Sequence, residues 1–255
     1  MTRRRCLRQP GPTSSARCMA DTARLIPSLS PPLPPPTLPP PPPRKGSPGL
    51  RVVEAGSWWR VHRFSGSTGR FAPHAFNDSG LGNARFSPLR SVRVDVIPTL
   101  YAAGTLESAL METVLHDVPF PSQGHIHDLE RDLQSDLHVS QVEIGESLQL
   151  VDLTKIGLQR MGLRVSELFE TDADAYPRTR DWAQWIHATV PQAHGLYWMS
   201  ARQPEGAAMM LFGDRVATGV VRQGQTPPRH LGDPAVLSCL LSLLERLGCG
   251  VASNR

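Results

Sequence analysis

TLYAAGTLESALMETVLH, residues 99–116, changes its hydrophobic period half-way along. Its strand-like start belongs to a slightly longer run, Ile97 to Ala102, short and almost continuously apolar, as in a buried strand. Pro98 has no N–H to give to a ladder, so the run is expected at a sheet edge. From Leu106 the spacing turns helical and predicts a helix over about residues 106–117. Thr105 is placed to cap it, and Glu107 sits in the first turn, where the helix dipole favours an acid. At about 100° per residue, Leu106, Leu110, Thr113 and Val114 share one face, with Ala109 at its edge. Glu112 and His116, one helical turn apart, fall together on the flank beside Ala109. Pro119 and Pro121 end the helix.

Working outward, Trp58, Trp59, Val61 and Phe64 form an early apolar cluster, and residues 65–90, rich in Gly, Ser, Pro and Asn, read as loop. Residues 137–153 alternate toward strand through Val139, Val142, Ile144, Leu148, Leu150 and Leu153. Residues 154–168 have room for a short helix, and Asp181 to Ala188 for another that turns Trp182, Trp185 and Ile186 inward. Gly195 to Met199 reads as a strand leading into Ser200. Met209 to Phe212 and Val216 to Val221 read as two strands joined by a Gly213-Asp214 turn. The last helix has Asp233 as its cap, Pro234 at its first position, an apolar stripe through Leu247 and Gly248 as its stop. There is no internal repeat, and strands and helices do not alternate strictly. The expected fold class is therefore α+β, in a single domain, rather than a doubly wound sheet.

The formal net charge of +4 is unevenly divided. Residues 1–50 hold eight Lys/Arg against one acid, Asp21, whereas residues 51–255 hold 19 Lys/Arg against 22 acids. The body is mildly acidic, which argues against direct nucleic-acid binding by the folded part. Residues 1–50 also carry 14 of the 25 prolines, with Pro31 to Pro43 almost unbroken. Such a segment favours extended polyproline II and builds no core. The expected division is a disordered, basic, proline-rich tail over residues 1–56 and a folded domain over residues 57–255. The tail reads as a ligand for a proline-binding domain, as plain disorder, or as the product of an over-extended gene start.

Several classes are excluded. No stretch approaches the roughly 18 uninterrupted apolar residues of a spanning helix. Arg3, Arg4 and Arg5 are not followed by the apolar run of a secretory signal, so a cytoplasmic location is expected. Cys6, Cys18, Cys239 and Cys249 form no CxxC pair, which points to neither a zinc site nor a disulfide framework. His125 and His127 flank Ile126 on one side of a strand, but nothing completes a metal site around them. Ser65 to Gly69 lacks the lysine of a P-loop, and there is no GxGxxG.

Polar residues with chemical potential sit beside aromatic and apolar ones in four segments: Trp59 to Arg63, Asn83 to Pro88, Leu100 to Ala103 leading to Glu112, and Tyr197 to Arg202. Taken singly these residues say little. A lone arginine is ordinarily a surface or salt-bridge residue, a glutamate on a helix flank is ordinarily solvated, and a tyrosine in an apolar strand is ordinarily core.

Taken in order, they resemble the RES domain, a family named for its Arg, Glu and Ser residues. Arg60 matches the early arginine after an aromatic residue, and Arg85 the arginine–aromatic pair in a small-residue loop. Tyr101 matches the Leu-Tyr-Ala strand, Glu112 the helix with Ala-Leu-x-Glu, and Ser200 the serine at a strand end. Residues 99–116 are the most specific part, and the resemblance spans about residues 58–222. It departs at Asn83-Ala84, where the family usually has Gly-Gly, and at Ser87, where it usually has Asn.

The resemblance implies an α+β fold akin to ADP-ribosyltransferases, NAD⁺ as substrate with no separate cofactor, and no metal. It implies an NAD⁺ glycohydrolase or phosphorylase acting as the toxin of a toxin–antitoxin pair. The implied partner is a cognate Xre-like antitoxin, with a homodimer or a toxin–antitoxin hetero-oligomer as the assembly. Glu112 would stabilise the oxocarbenium-like ribose, Arg60 and Arg85 would hold the pyrophosphate, Tyr101 would stack on the nicotinamide, and Ser200 would bond the ribose or the amide. Two other readings stand beside it: ADP-ribosyl transfer to a macromolecule, and a non-catalytic RES-like interaction protein.

Overall fold

Residues 99–113 fold as a strand turning directly into a helix, β5 (Thr99–Ala103) and α1 (Leu106–Thr113). The computed structural model describes residues 38–43, 45–65, 71–91, 93, 95–119, 122, 124–170, 173–200, 203 and 206–252. Ahead of β5 lie β1 (Leu50–Val53), β2 (Gly56–Arg63), β3 (Leu89–Arg90) and β4 (Val96–Ile97). After α1 come β6 (Ile126–His127), α2 (Leu129–Leu133), β7 (Leu137–Ile144), β8 (Leu148–Asp152), α3 (Lys155–Arg160), α4 (Val165–Leu168) and α5 (Tyr176–Thr189). The chain then runs through β9 (Gly195–Met199), β10 (Ala207–Phe212), β11 (Val221–Gln223), β12 (Arg229–His230), α6 (Pro234–Leu247) and β13 (Gly250–Val251). The class is α+β, as the sequence predicts.

The main sheet has the order β1-β8-β9-β10-β5-β2-β7-β11, with β12 also on β7. Only β8 and β9 run parallel within it. Short connections force this sheet to curl. Between Ile144 and Leu148 the chain can reach about 14 Å at full extension. Yet β7 and β8 stand five ladder steps apart, roughly 24 Å if the sheet were flat. The two-residue link from β1 to β2 makes the same demand. One face of the curl is filled by Trp58, Leu100, Val142, Leu150, Met209 and Leu211. The other is covered by the helices, with Leu110, Trp182, Ile186, Leu240 and Leu244 packed against Val61, Leu196 and Met210.

Between β5 and β2 the ladder nearly fails. Trp59↔Ala103 is the single registered pair, so Val61 and Tyr101 do not pair and the strands part. The edge of β5 freed by this parting is taken by the preceding loop. The Asn77 N–H donates to Thr99 O at 2.8 Å, and the Thr99 N–H returns to Asn77 O at 3.1 Å.

Several expectations need correction. The strand of residues 97–102 is not at an edge: β5 lies between β10 and β2. Pro98 escapes the penalty because it sits at the break between β4 and β5, where its carbonyl accepts from the Gly213 N–H at 2.7 Å. The helix read to residue 117 ends at Thr113, although Thr105 caps it, accepting from the Ser108 N–H at 3.1 Å. Its buried residues are Ser108, Ala109, Leu110 and Met111, four consecutive positions that nearly circle the helix, so its middle is enclosed all round rather than only on the expected Leu106–Val114 face. Burying Leu110 and Met111 contributes roughly 1.5–3 kcal/mol each.

The expected 209–221 hairpin does not form. β10 pairs β9 and β5, and β11 pairs β7. Residues 213–220 instead coil through turns that bury Val216 and Val220. The boundary read at 56/57 also moves: β1 pairs β8, and Leu38 lies in the core at 2% exposure. Residues 1–37 lie outside the described residues. α6 follows the sequence closely. Asp233 accepts from the Ala235 N–H at 3.0 Å, and Gly248 stops the helix at φ +70°, a left-handed conformation that favours glycine.

Candidate active site

Where β2 and β5 part, a cleft of about 290 Å³ opens, walled by α1, α5 and the 83–87 loop. Arg60, Arg85, Tyr101 and Glu112 all line it. Ser200 does not. It is buried at 2% exposure at the end of β9, where its hydroxyl accepts from the Gln203 N–H at 3.2 Å. Four of the five expected residues are thus brought together, and the fifth lies outside the lining of the cleft.

Arg60 follows Trp59, the last registered residue of β2 on β5, so its side chain enters the parting. Its Nη1 donates to Pro73 O at 2.6 Å and Ala75 O at 2.8 Å, tying β2 to the loop that replaces it on β5. Burial lowers its pKa to about 10, which still leaves it charged at neutral pH. Among the described residues no carboxylate forms an ion pair with it. A desolvated cation without an anion is costly, and an anionic ligand would relieve the cost.

Arg85 stands at the tip of a tight turn. The Ala84 N–H donates to Ser87 O at 3.1 Å, so the loop closes although Asn83-Ala84 replaces the family's Gly-Gly. The Arg85 guanidinium donates to Leu168 O at 2.8 Å and lies 5.1 Å from the Tyr176 ring and 5.7 Å from the Phe169 ring. Its carbonyl accepts from the Thr179 hydroxyl, and Asn83 Oδ1 accepts from Arg180 at 2.9 Å. α5 therefore carries the loop.

The Tyr101 hydroxyl accepts from the Phe86 N–H at 3.2 Å and shares a hydrogen bond with Ser87. Burial pushes its pKa up to about 12. It therefore stays neutral, a hydrogen-bond partner rather than a base.

Glu112 projects from the last turn of α1. Gly206 lets that helix seat closely, since a Cβ there would meet Ser108 Oγ at 1.8 Å. The Trp198 indole N–H donates to Glu112 Oε2 at 3.2 Å. Among the described residues Glu112 makes no other hydrogen bond and no ion pair, which leaves its second oxygen for a ligand.

Trp198 is 2% exposed and packs against Phe86, Phe169 and Tyr101. The sequence signal for its role is the indole N–H, which needs a partner when buried. His116 lines the rim, where its Nδ1–H donates to Thr113 O at 2.7 Å and its Nε2 faces Asp117 at 3.0 Å.

A second hollow, of about 600 Å³, adjoins the cleft and shares Arg60, Val61, Ala84 and Tyr101 with it. At its base His62 is held neutral, its Nδ1–H donating to Arg63 O at 2.6 Å and its Nε2 accepting from the Ser140 hydroxyl at 2.9 Å. Away from the cleft, His127 Nε2 bonds Asp132 at 2.6 Å, and no group of three metal-ligating side chains occurs among the described residues. Nor is any described helix long and apolar enough to cross a membrane.

The RES domain family matches residues 57–231. The chain belongs to the RES domain family. That span takes in every strand of the main sheet except β1, and the whole cleft. Among solved structures, the M. tuberculosis MbcT–MbcA toxin–antitoxin complex is similar to this RES protein at 16% identity, over 77% of this chain and 91% of that chain, with a TM-score of 0.46. No curated protein matches it.

Proposed function

We propose that this RES protein cleaves the nicotinamide–ribose bond of NAD⁺, and that it acts in the cytoplasm as the toxin partner of an Xre-like antitoxin. The observation that carries the reading is the charge arrangement of the cleft: a half-buried arginine on β2 without an acid and a glutamate on α1 without a cation, lining the same cleft but not paired with each other. Such a site suits a ligand that is anionic in one part and becomes cationic in another. NAD⁺ is of that kind, with its pyrophosphate and the oxocarbenium-like ribose of its transition state. Membership of the RES family supports the same substrate and partner.

In this reading the nicotinamide riboside half occupies the smaller cleft, which lies near the low end of small-ligand sites. The pyrophosphate meets Arg60 and Arg85, whose guanidinium groups suit phosphate oxygens. Glu112 faces the anomeric carbon, its carboxylate oriented by Trp198. As the C1″–N bond breaks, nicotinamide leaves as a neutral molecule with the bonding pair. The developing positive charge on the ribose is stabilised by Glu112, a charge placed in advance. An oxygen of water or phosphate then adds to C1″ and loses its proton to solvent. Nicotinamide needs no protonation to leave, in keeping with a site whose tyrosine stays neutral.

Incubating the purified full chain with NAD⁺ tests this. Chromatography should show nicotinamide with ADP-ribose, or with ADP-ribose-1″-phosphate when phosphate is present. Glu112→Ala should lose most of the turnover. Absence of free nicotinamide, or an undiminished rate in Glu112→Ala, would overturn the assignment.

A further inference from the structure

We propose that Leu38 and Pro39, at the described end of the proline-rich run, are a ligand of this chain's own α5, and that through α5 they position the Arg85 loop of the cleft. The inference rests on the reading above only in taking Arg85 as a substrate-binding residue.

α5 is held from two sides. On one, Tyr176, Thr179 and Arg180 grip the 83–87 loop through the Arg85 guanidinium, the Arg85 carbonyl and Asn83. On the other, Arg178 Nη1 donates to Leu38 O at 3.0 Å, and the Trp182 indole N–H donates to Pro39 O at 2.7 Å. Arg178 and Trp182 are one helical turn apart, so a single flank of α5 meets two successive carbonyls of the segment. Leu38 itself is buried at 2% exposure in the helix-side core.

The chemistry is that of proline-rich recognition. A polyproline II chain makes no internal hydrogen bonds, so its carbonyls are free to accept, and an aromatic donor meets them. Trp182 is also 2% exposed, and Pro39 O is its sole hydrogen-bond partner among the described residues. Without the segment a buried donor would be stranded. The sequence composition marks the segment as a candidate ligand for a proline-binding surface, and the structure supplies that surface within the same chain. Arg178 and Trp182 touch nothing in the cleft, so they are positioning residues, and their influence runs along α5 to Arg85.

The test uses the full chain carrying Arg178→Met with Trp182→Phe, which removes both donors and keeps most of the apolar bulk. Leu38→Ala serves as an independent second variant. Kinetics are read well below every variant's melting temperature, and amide hydrogen exchange is read at residues 84–87. The proposal expects KM for NAD⁺ to rise about three- to tenfold while kcat, set by Glu112 on a separate helix, stays within about twofold. Exchange at 84–87 should quicken, and in an Arg85→Ala background the KM effect should largely disappear, because two changes acting through one group do not add. Equal losses in kcat and kcat/KM, full additivity with Arg85→Ala, or unaltered exchange at 84–87 would each overturn it. Should the unsubstituted chain turn over no NAD⁺, the activity reading fails, and hydrogen exchange alone decides this proposal.

Discussion

The Trp198 indole N–H points at Glu112 Oε2 from 3.2 Å, so a strand residue on β9 sets the orientation of an acid on α1. Both groups arrive from elements that pair or pack with β10, the sheet's central strand. A carboxylate on a last helical turn ordinarily swings among rotamers, and this one is tethered by one oxygen while the other remains available. Glu112→Ala should therefore cost roughly 10²–10³-fold in kcat, the range for removing one preorganised charge-stabilising group. Trp198→Phe loses the N–H together with part of the ring's packing, so it should cost at least about tenfold, the equivalent of one hydrogen bond to a charged group. Nicotinamide release under saturating NAD⁺ measures both. A Trp198→Phe enzyme with unaltered kcat would show that the tether is not needed.

Arg60 combines a structural and a binding role, and the two separate experimentally. Arg60→Met removes the donors to Pro73 O and Ala75 O and should destabilise the fold by about 1–3 kcal/mol in urea unfolding, as the loop loses its tie to β2. It should also weaken ADP-ribose binding in calorimetry, because the anion loses its desolvated cation. Arg60→Lys supplies charge without the planar fork and should recover affinity only in part. Unchanged affinity in Arg60→Met would remove Arg60 from the binding site while leaving its role at the strand parting intact.

His62 gives the fold a pH dependence of defined sign. Burial, aided by the nearby Arg60 charge, lowers its pKa to about 4 from the usual 6.5. Between those values the unfolded chain binds a proton that the folded chain refuses, so stability is full above about pH 6.5 and falls as pH drops toward 4. The two-and-a-half-unit gap corresponds to roughly 3 kcal/mol at the acid end. His62→Gln binds no proton there, so its unfolding free energy should vary less between pH 6.5 and pH 4 than that of the unsubstituted chain. Parallel pH profiles for the two would mean that His62 is not held neutral by the fold.

What was legible in the sequence was local. Thr105 and Asp233 as caps, Gly248 as a stop and the alternation through β7 and β8 each depend on neighbours a few residues away, and the structure follows them. The parting of β2 from β5 depends on pairing between distant stretches, and no periodicity encodes it. That parting is also what draws Arg60, Arg85, Tyr101 and Glu112 into one cleft, so the site became visible in the sequence only as an ordered set of residue types. Val216 to Val221 shows the opposite failure. Its β-branched residues suggested a strand, but the Arg215 guanidinium donates to Val190 O and Ala193 O and pins the chain in turns. Leu38 was hidden by its surroundings, one apolar residue in a run of prolines whose burial needs Trp182 and Arg178 from far along the chain.

Tyr101 is where strand, loop and chemistry meet. Its hydroxyl receives the Phe86 N–H, so β5 holds the turn that presents Arg85. Tyr101→Phe leaves that amide without its acceptor, a loss of about 1–3 kcal/mol if the group stays dry. The turn should loosen and KM for NAD⁺ should rise several-fold. Because burial pushes the phenol's pKa up to about 12, the unsubstituted chain should show no kinetic limb from Tyr101 between pH 6 and pH 10. In that range Tyr101→Phe should shift the whole profile downward without changing its shape. A tyrosine acting as a base would instead give a rate that climbs with pH and a variant in which the climb is gone, so the shape of the two curves separates a scaffold hydroxyl from a proton acceptor.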